Sequence, residues 1–187
     1  MTMRDFPVLK TERLTLRAFR QDDLDRICEY LNDFDITKML VPVPYPYTRE
    51  DAQFWIDLTT NSDGSDNINW AIDDGSGIIG CIGSFELQSG TTFGYWLGKP
   101  YWGKGYVSEA GRAVREYLFA HYDFPVLRCG AFVENPGSQN VLKKLGFLEV
   151  GRNELSSAAR GNQLVPNIKF ELPRSRYLAE ILDSLPA

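Results

Sequence analysis

The sequence predicts a mixed α/β domain: one central, mostly antiparallel sheet flanked by helices, spanning residues 1–187 as a single domain. Three observations carry this. Short alternating apolar segments between residues 69 and 97 are separated by tight Gly-containing turns, the mark of antiparallel hairpins. After residue 97 the order changes to strand, Gly-rich loop, helix, strand, helix, strand. The chain has 187 residues, 43% of them hydrophobic and 24% charged, a globular balance long enough for a sizeable core.

The elements follow in order. Residues Arg13 to Phe19 alternate, with Leu14, Leu16 and Ala18 on one face, and predict a strand. Asp22 or Asp23 is placed to cap a helix whose apolar positions are Leu24, Ile27, Cys28 and Leu31. The run Val41-Pro42-Val43-Pro44-Tyr45-Pro46-Tyr47 excludes helix, because proline restricts itself and its predecessor. It predicts a stiff aromatic loop, its tyrosines lining a cleft or packed in a core. Thr48-Arg49-Glu50-Asp51 resembles a capping box before a helix that buries Ala52, Trp55, Ile56 and Thr59.

Three strands come next: Asn69 to Asp73, Ile78 to Leu87 and Thr91 to Leu97, the last two joined by the turn Gln88-Ser89-Gly90. A helix over Ser108 to Ala120 has Ala110, Ala113, Val114, Tyr117 and Leu118 on one face. Leu127 to Val133 predicts a buried strand, and Asn135 to Leu145 a short helix ended by Gly146. Strands near Leu148 to Ser156 and Val165 to Leu172 complete the pattern.

Composition narrows the function classes. Twenty basic against 25 acidic residues give a net charge of −5. That balance argues against nucleic acid as a partner and favours a cationic one, such as an amine. The three cysteines, Cys28, Cys81 and Cys129, form neither a metal spacing nor a disulfide framework, and predict buried free thiols. No apolar core of a signal peptide fits among the charges of the first twenty residues, and no run is apolar enough to span a bilayer. A cytoplasmic protein with no membrane partner is expected, its oligomeric state open.

The segment Gly98-Lys99-Pro100-Tyr101-Trp102-Gly103-Lys104-Gly105-Tyr106-Val107-Ser108 lies between a strand and a helix. Helix N-termini offer unpaired N–H groups and positive dipole charge, and glycines let backbone approach a phosphate. A ligand carrying pyrophosphate is the expectation. The dinucleotide fingerprint fails, because Ser108 stands where its third glycine belongs. Gly98 through Lys104 fits the spacing of a nucleoside triphosphate loop, but Gly105 replaces the hydroxyl residue that would hold magnesium.

A third pattern is more extensive. Gly94-Tyr95-Trp96-Leu97, then Tyr101 through Tyr106, then Glu109-Ala110 resemble the acyl-CoA loop of GNAT acetyltransferases, in the ribosomal-protein N-acetyltransferase-like branch. Trp102 and Val107 depart from that family's loop pattern. Thr11-Glu12-Arg13-Leu14 with Leu16-Arg17 resembles the same branch, as does Asn135 to Phe147. The resemblance implies a splayed sheet, acetyl-CoA as cosubstrate, no metal, and transfer to an amine acceptor: a protein N-terminus or a small amine. It implies that pantetheine enters between the strands Thr91–Leu97 and Leu127–Val133, with the N–H of Leu97 or a neighbour facing the thioester carbonyl. Its candidate cofactor-binding residues here are Trp96, Leu97, Trp102, Gly103, Lys104, Gly105, Tyr106, Val107, Ser108, Asn135 and Asn140.

Acetyl transfer requires a neutral amine, a donor for the oxyanion and a proton for the leaving thiolate. Leu142 occupies the place of the family's usual tyrosine donor, and leucine cannot donate. Ser138, at the branch's serine position, is the candidate donor; a capping-turn hydroxyl is the structural alternative. Thr92 stands where many relatives carry a glutamate, so Glu86 is the candidate base. A solvated strand-end carboxylate, with water taking the proton, is its alternative. His121 sits near a helix end and is assigned no catalysis. Two other readings remain open at this point: a non-catalytic acyl-CoA-binding module and a nucleotide hydrolase.

Overall fold

The structure, a computed structural model, describes residues 6–88 and 91–184. One eight-stranded sheet organises it, in spatial order β1-β2-β3-β4-β5-β6-β8-β7. The strands are β1 (Leu9–Lys10), β2 (Thr15–Arg17), β3 (Ile68–Asp73), β4 (Ile78–Phe85), β5 (Thr92–Leu97), β6 (Val126–Phe132), β7 (Leu148–Ser157) and β8 (Gln163–Pro173). The helices are α1 (Leu24–Leu31), α2 (Phe34–Thr37), α3 (Arg49–Thr60), α4 (Tyr106–His121), α5 (Pro136–Lys144) and α6 (Arg174–Ser184). Every neighbouring pair is antiparallel except β5 with β6. The mixed, mostly antiparallel sheet is as the sequence predicts.

Strand alternation sends side chains to two cores, one on each face. Ile68, Trp70, Ile72, Phe93 and Leu97 pack with Val114 and Leu118 of α4 and with Leu142 of α5. Ala71, Cys81 and Trp96 pack on the other face with Ile27 and Leu31 of α1 and Ile56 of α3.

Several boundaries differ from expectation. The first predicted strand shortens to Thr15–Arg17, and Arg17 turns inward at 5% exposure. Its guanidinium meets Asp23 and Asp73, each at 2.8 Å. Asp23 stands at the N-cap of α1 but its side chain makes no capping bond there: its carboxylate takes Arg17 and the Arg20 N–H (2.8 Å), while a 3-10 turn over Gln21–Asp23 leads into α1. The capping box at α3 forms, Thr48 Oγ1 accepting from the Asp51 N–H at 3.2 Å and Asp51 accepting from the Thr48 N–H at 2.8 Å. Trp55 is half-buried rather than buried. The β4–β5 hairpin is present, but the expected turn Gln88-Ser89-Gly90 extends outside the described residues at 89 and 90. Of the cysteines, all free, Cys81 is buried while Cys28 and Cys129 are half-buried.

α6 was not expected from sequence. It packs on α4 through the stacked rings of Tyr177 and Phe119 (4.6 Å) and the Arg115–Glu180 ion pair (2.5 Å). Its other apolar residues, Leu178, Ile181 and Leu182, remain exposed, so its buried stripe is too narrow for a periodicity signal. No described helix is long and apolar enough to cross a membrane.

The Arg17 cluster is nearly dry, so removing its cation strands two carboxylates. Burial alone would raise the Asp73 pKa, but Arg17 and the N–H groups of Gly75 and Gly77 outweigh it and hold the pKa below its usual value. The stabilisation is complete above about pH 4 and is lost as the pH falls through that lowered value. Arg17→Met is expected to cost about 3–5 kcal/mol at pH 7, read from urea denaturation.

Candidate functional site

β5 and β6 are joined at a single register position, Thr92 opposite Arg128, where the Arg128 N–H donates to the Thr91 carbonyl at 3.0 Å. Beyond it the two strands part. Ladder phase shows what the parting exposes. The Gly98 N–H donates to the Ile79 carbonyl at 2.8 Å, so alternation pairs Gly94 and Trp96 with β4. The N–H groups of Tyr95 and Leu97 turn toward β6. On the other side, the Val133 N–H donates to the Pro166 carbonyl at 2.9 Å, which aims the backbone of Gly130 and Phe132 toward β5. A cleft of about 1030 Å³ runs through this gap and opens on both faces of the sheet.

The Gly-rich loop stands at one end. β5 leads into a 3-10 turn over Lys99–Tyr101 and then to Gly103 and Gly105, both left-handed at φ +73° and +81°. Glycine alone takes that conformation without strain, and Gly105 is the N-cap of α4. The first intrahelical bond runs from the Glu109 N–H to the Gly105 carbonyl (3.0 Å). The N–H groups of Tyr106, Val107 and Ser108 therefore have no partner within the helix and can take an anion. Trp102, the residue that departs from the family pattern, ties the loop down: its indole N–H donates to the Leu97 carbonyl at 2.7 Å.

A clamp from the chain's beginning holds this loop. Glu109 accepts from the Thr11 hydroxyl (2.6 Å), the Arg13 N–H (2.8 Å) and the Arg13 guanidinium (2.7 Å). The same guanidinium donates to the Lys104 carbonyl (3.0 Å) and lies 4.6 Å over the Tyr106 ring. Thr11 and Arg13, both in the stretch that carries the resemblance, are thus the fastening of the anion loop.

Of the predicted residues, Trp96, Leu97, Trp102, Gly103, Gly105, Tyr106, Val107, Ser108, Asn135, Asn140, Ser138 and Glu86 all line the cleft. Lys104 does not line it: its carbonyl is held by Arg13 and its ammonium lies 5.6 Å from the Tyr101 ring. Trp96, 8% exposed, contributes chiefly as packing against Tyr30. Asn135 caps α5 by accepting the Ser138 N–H at 3.0 Å. Leu142 is fully buried, a core residue. His121 stacks on Tyr117 at 4.1 Å, away from the cleft walls.

Ser138 Oγ does not bond local backbone. It pairs with the Tyr95 hydroxyl at 2.7 Å. Burial pushes the Tyr95 phenol well above its ordinary pKa, so it keeps its proton. Sequence reasoning did not single out Tyr95 as a polar partner, because the two residues lie on different elements and meet only across the gap. Glu86 sits at φ +56°, just beyond β4, and accepts from the Thr92 hydroxyl at 3.1 Å. Its carboxylate is thereby held beside the position where the resemblance implies a glutamate.

The far wall is apolar, formed by Ile36, Met39, Leu40, Val41, Val43 and Phe85. The loop after α2 thus lines the cleft as expected, with Tyr47 buried in the core and Tyr45 exposed against Phe34 (5.1 Å). Among the described residues, three carboxylates line the cleft: Asp35, Glu86 and Glu134. Asp35 is bound by Lys38 and Lys99, which hold its pKa down to about 2, and Glu134 is paired with Arg160. Glu86 is the one without a cationic partner among the described residues.

The clamp makes a local prediction. Glu109→Ala should leave the fold intact but speed hydrogen exchange of the amides at 103–108 by roughly tenfold, measured by mass spectrometry.

Comparisons with known proteins agree with this architecture. The acetyltransferase (GNAT) domain family model matches residues 13–148. The chain is 29% identical over 175 residues to p20, an uncharacterized N-acetyltransferase of Bacillus licheniformis, covering 90% of this chain and 97% of that one. It is 28% identical over 145 residues to the uncharacterized N-acetyltransferase YnaD of Bacillus subtilis, covering 76% and 84%. Its fold is similar to a spermidine N-acetyltransferase of Vibrio cholerae in complex with CoA and spermine, with a TM-score of 0.74, 19% identity, and 89% and 98% of the two chains covered. It is also similar to a ribosomal-protein-S5-alanine acetyltransferase of Vibrio fischeri, at TM-score 0.75, 18% identity, and 89% and 96% covered. A family match over residues 13–148, laid on a sheet that parts beside an anion-ready helix, leaves one assignment: the chain belongs to the acetyltransferase (GNAT) family and is an N-acetyltransferase.

Proposed function

We propose that the protein transfers the acetyl group of acetyl-CoA to the α-amine of a polypeptide N-terminus. The observation that carries the reading is the parted β5–β6 pair, with ladder N–H groups on its inner edge and the α4 N-terminus at its end. Pyrophosphate fits the amides of Tyr106, Val107 and Ser108 and the glycine approach at Gly103 and Gly105. Pantetheine, an extended chain of amides, fits between Tyr95–Leu97 and Gly130–Phe132 as a strand does. Asn135, through the amide nitrogen left over from its cap, and exposed Asn140 border that path.

In the reaction, the neutral amine attacks the thioester carbon and the C–N bond forms. The Tyr95 N–H, which turns into the gap beside Ser138, stabilises the oxyanion. The C–S bond then breaks and the thiolate takes the Ser138 proton; water returns a proton to Ser138, whose oxygen is held by the Tyr95 hydroxyl. The ammonium proton leaves to Glu86, directly or through water. An α-amine with a pKa of about 8 is partly neutral at physiological pH, so the base has modest work to do.

The acceptor follows from charge. A polyamine carries several ammonium groups and calls for several free carboxylates. This cleft has one, Glu86, set in an apolar wall. A single amine on an otherwise neutral chain fits it better, which favours a protein N-terminus over spermidine.

Calorimetry with acetyl-CoA and a magnesium nucleotide control tests the cofactor. Saturable acetyl-CoA binding is expected, and its loss in a folded Gly105→Glu variant; a folded wild type that binds none overturns the reading. Ser138→Ala should lower kcat by roughly 100-fold with acetyl-CoA affinity within about twofold, and Tyr95→Phe should act in the same direction. An unchanged kcat in Ser138→Ala would assign the proton to water.

A further inference from the structure

On the acceptor side of the sheet one row is bare. Asn69 of β3 lies opposite Gly83 of β4, and Gly83 opposite Gly94 of β5. Directly paired residues point to the same face, here the face of α1 and α3. The row above carries Ala71, Cys81 and Trp96, and the row below ends in Phe85 and Thr92. Two successive glycines thus floor a trough that runs from Asn69 to the edge where β5 and β6 part.

Asn69 lies over that floor. A Cβ at Gly83 would come within 2.3 Å of Asn69 Oδ1 and 2.4 Å of the Ile68 carbonyl, whereas a Cβ at Gly94 would meet only Phe85, at 3.9 Å. Asn69 is 4% exposed, and its Oδ1 has no hydrogen-bond partner. Trp55 lines the same cleft, and its buried indole N–H is likewise without a partner. A buried amide oxygen left unpaired is costly, and a leucine of similar size would carry no such cost. The amide is explained by a group that arrives with the substrate.

We propose that Asn69 binds the acceptor by pairing with its first peptide group, so that the enzyme reads an amine attached to an amide. Spacing supports this. Neighbouring strands are about 4.8 Å apart, so an amine attacking at the β5 edge lies about one strand from the Asn69 side chain over Gly83. One residue of extended chain spans about 3.3–3.6 Å, which brings the first peptide bond within hydrogen-bond reach. The soft terminal torsion of asparagine presents either amide atom to the peptide's N–H or carbonyl. The Trp55 indole N–H is a second donor for a following carbonyl. A simple alkyl or aryl amine reaches the same carbon but leaves Asn69 unpaired.

The inference rests on the acetyltransferase reading above, and the test separates the two. The probes are a hexapeptide with a free N-terminal alanine, and phenethylamine, which has one amine, an apolar body and no amide. Wild type, Asn69→Leu and Asn69→Ala are compared for kcat/KM on each probe, with acetyl-CoA affinity and Tm measured alongside. Wild type should prefer the peptide, and both variants should lose roughly tenfold or more of that preference, through KM, while phenethylamine turnover and acetyl-CoA affinity hold. Asn69→Leu should melt no lower than wild type. A preference unchanged within about twofold in both variants overturns the inference and leaves the acetyltransferase reading standing. A fall in Tm in both variants, with turnover of the two probes falling together, makes Asn69 a structural residue and also overturns it. A wild type that binds acetyl-CoA but acetylates neither probe removes the peptide acceptor and this inference together.

Discussion

The architecture turns on the failure of two adjacent strands to stay together. β5 and β6 are the one parallel pair in the sheet, and they meet at one register position. A parallel pair needs a long crossover. Here it carries the anion loop and α4, whose N-terminus begins at the end of β5. β6 instead commits to β8, with seven residues in continuous register. The backbone edges of β5 and β6 that face the gap are then left without sheet partners. Unpaired peptide groups at the centre of a sheet are costly, and a ligand built as a chain of amides satisfies them.

The two faces of this break do different chemistry because their side chains differ in kind. On the α4 and α5 face, glycines and a helix N-terminus leave backbone donors free for an anion, and the hydroxyls of Tyr95 and Ser138, proposed above as the proton source, are paired. On the α1 and α3 face the surroundings are apolar, and two of the three carboxylates are spent on lysine and arginine partners. The β7–β8 hairpin takes part from a distance: Arg160 donates to the Lys38 carbonyl at 3.0 Å, and the Ala158 N–H donates to that of Val41 at 3.0 Å. These bonds fix the loop that walls the acceptor side.

Precision at the loop comes from elsewhere in the chain. Glycines at 103 and 105 permit the turn but do not hold it, since glycine has the most freedom to lose. Glu109 and Arg13 supply the restraint, bridging residues 96 apart in sequence. One residue past Leu16, Arg17 applies the same logic with its two aspartates. One short segment therefore serves both the core and the cofactor end, which accounts for its prominence in the sequence.

What the sequence determined by itself was local. Alternation gave the strands, proline excluded helix from Val41 to Tyr47, and the glycines with a following helix announced the anion loop; each depends on neighbours along the chain. The resemblance over Gly94–Leu97 and Asn135–Phe147 extended this to a family. Tertiary structure decided what depends on distance in space. It turned Arg17 inward, placed Tyr95 against Ser138, set Glu86 beside Thr92, drew Lys104 off the cleft wall and added α6 on a narrow stripe. It also aligned Asn69 with Gly83 and Gly94, three residues on three strands with nothing in common along the chain. Register across a sheet is set by pairing partners and twist, not by any one strand's own pattern, so that row becomes visible only once the strands are assembled.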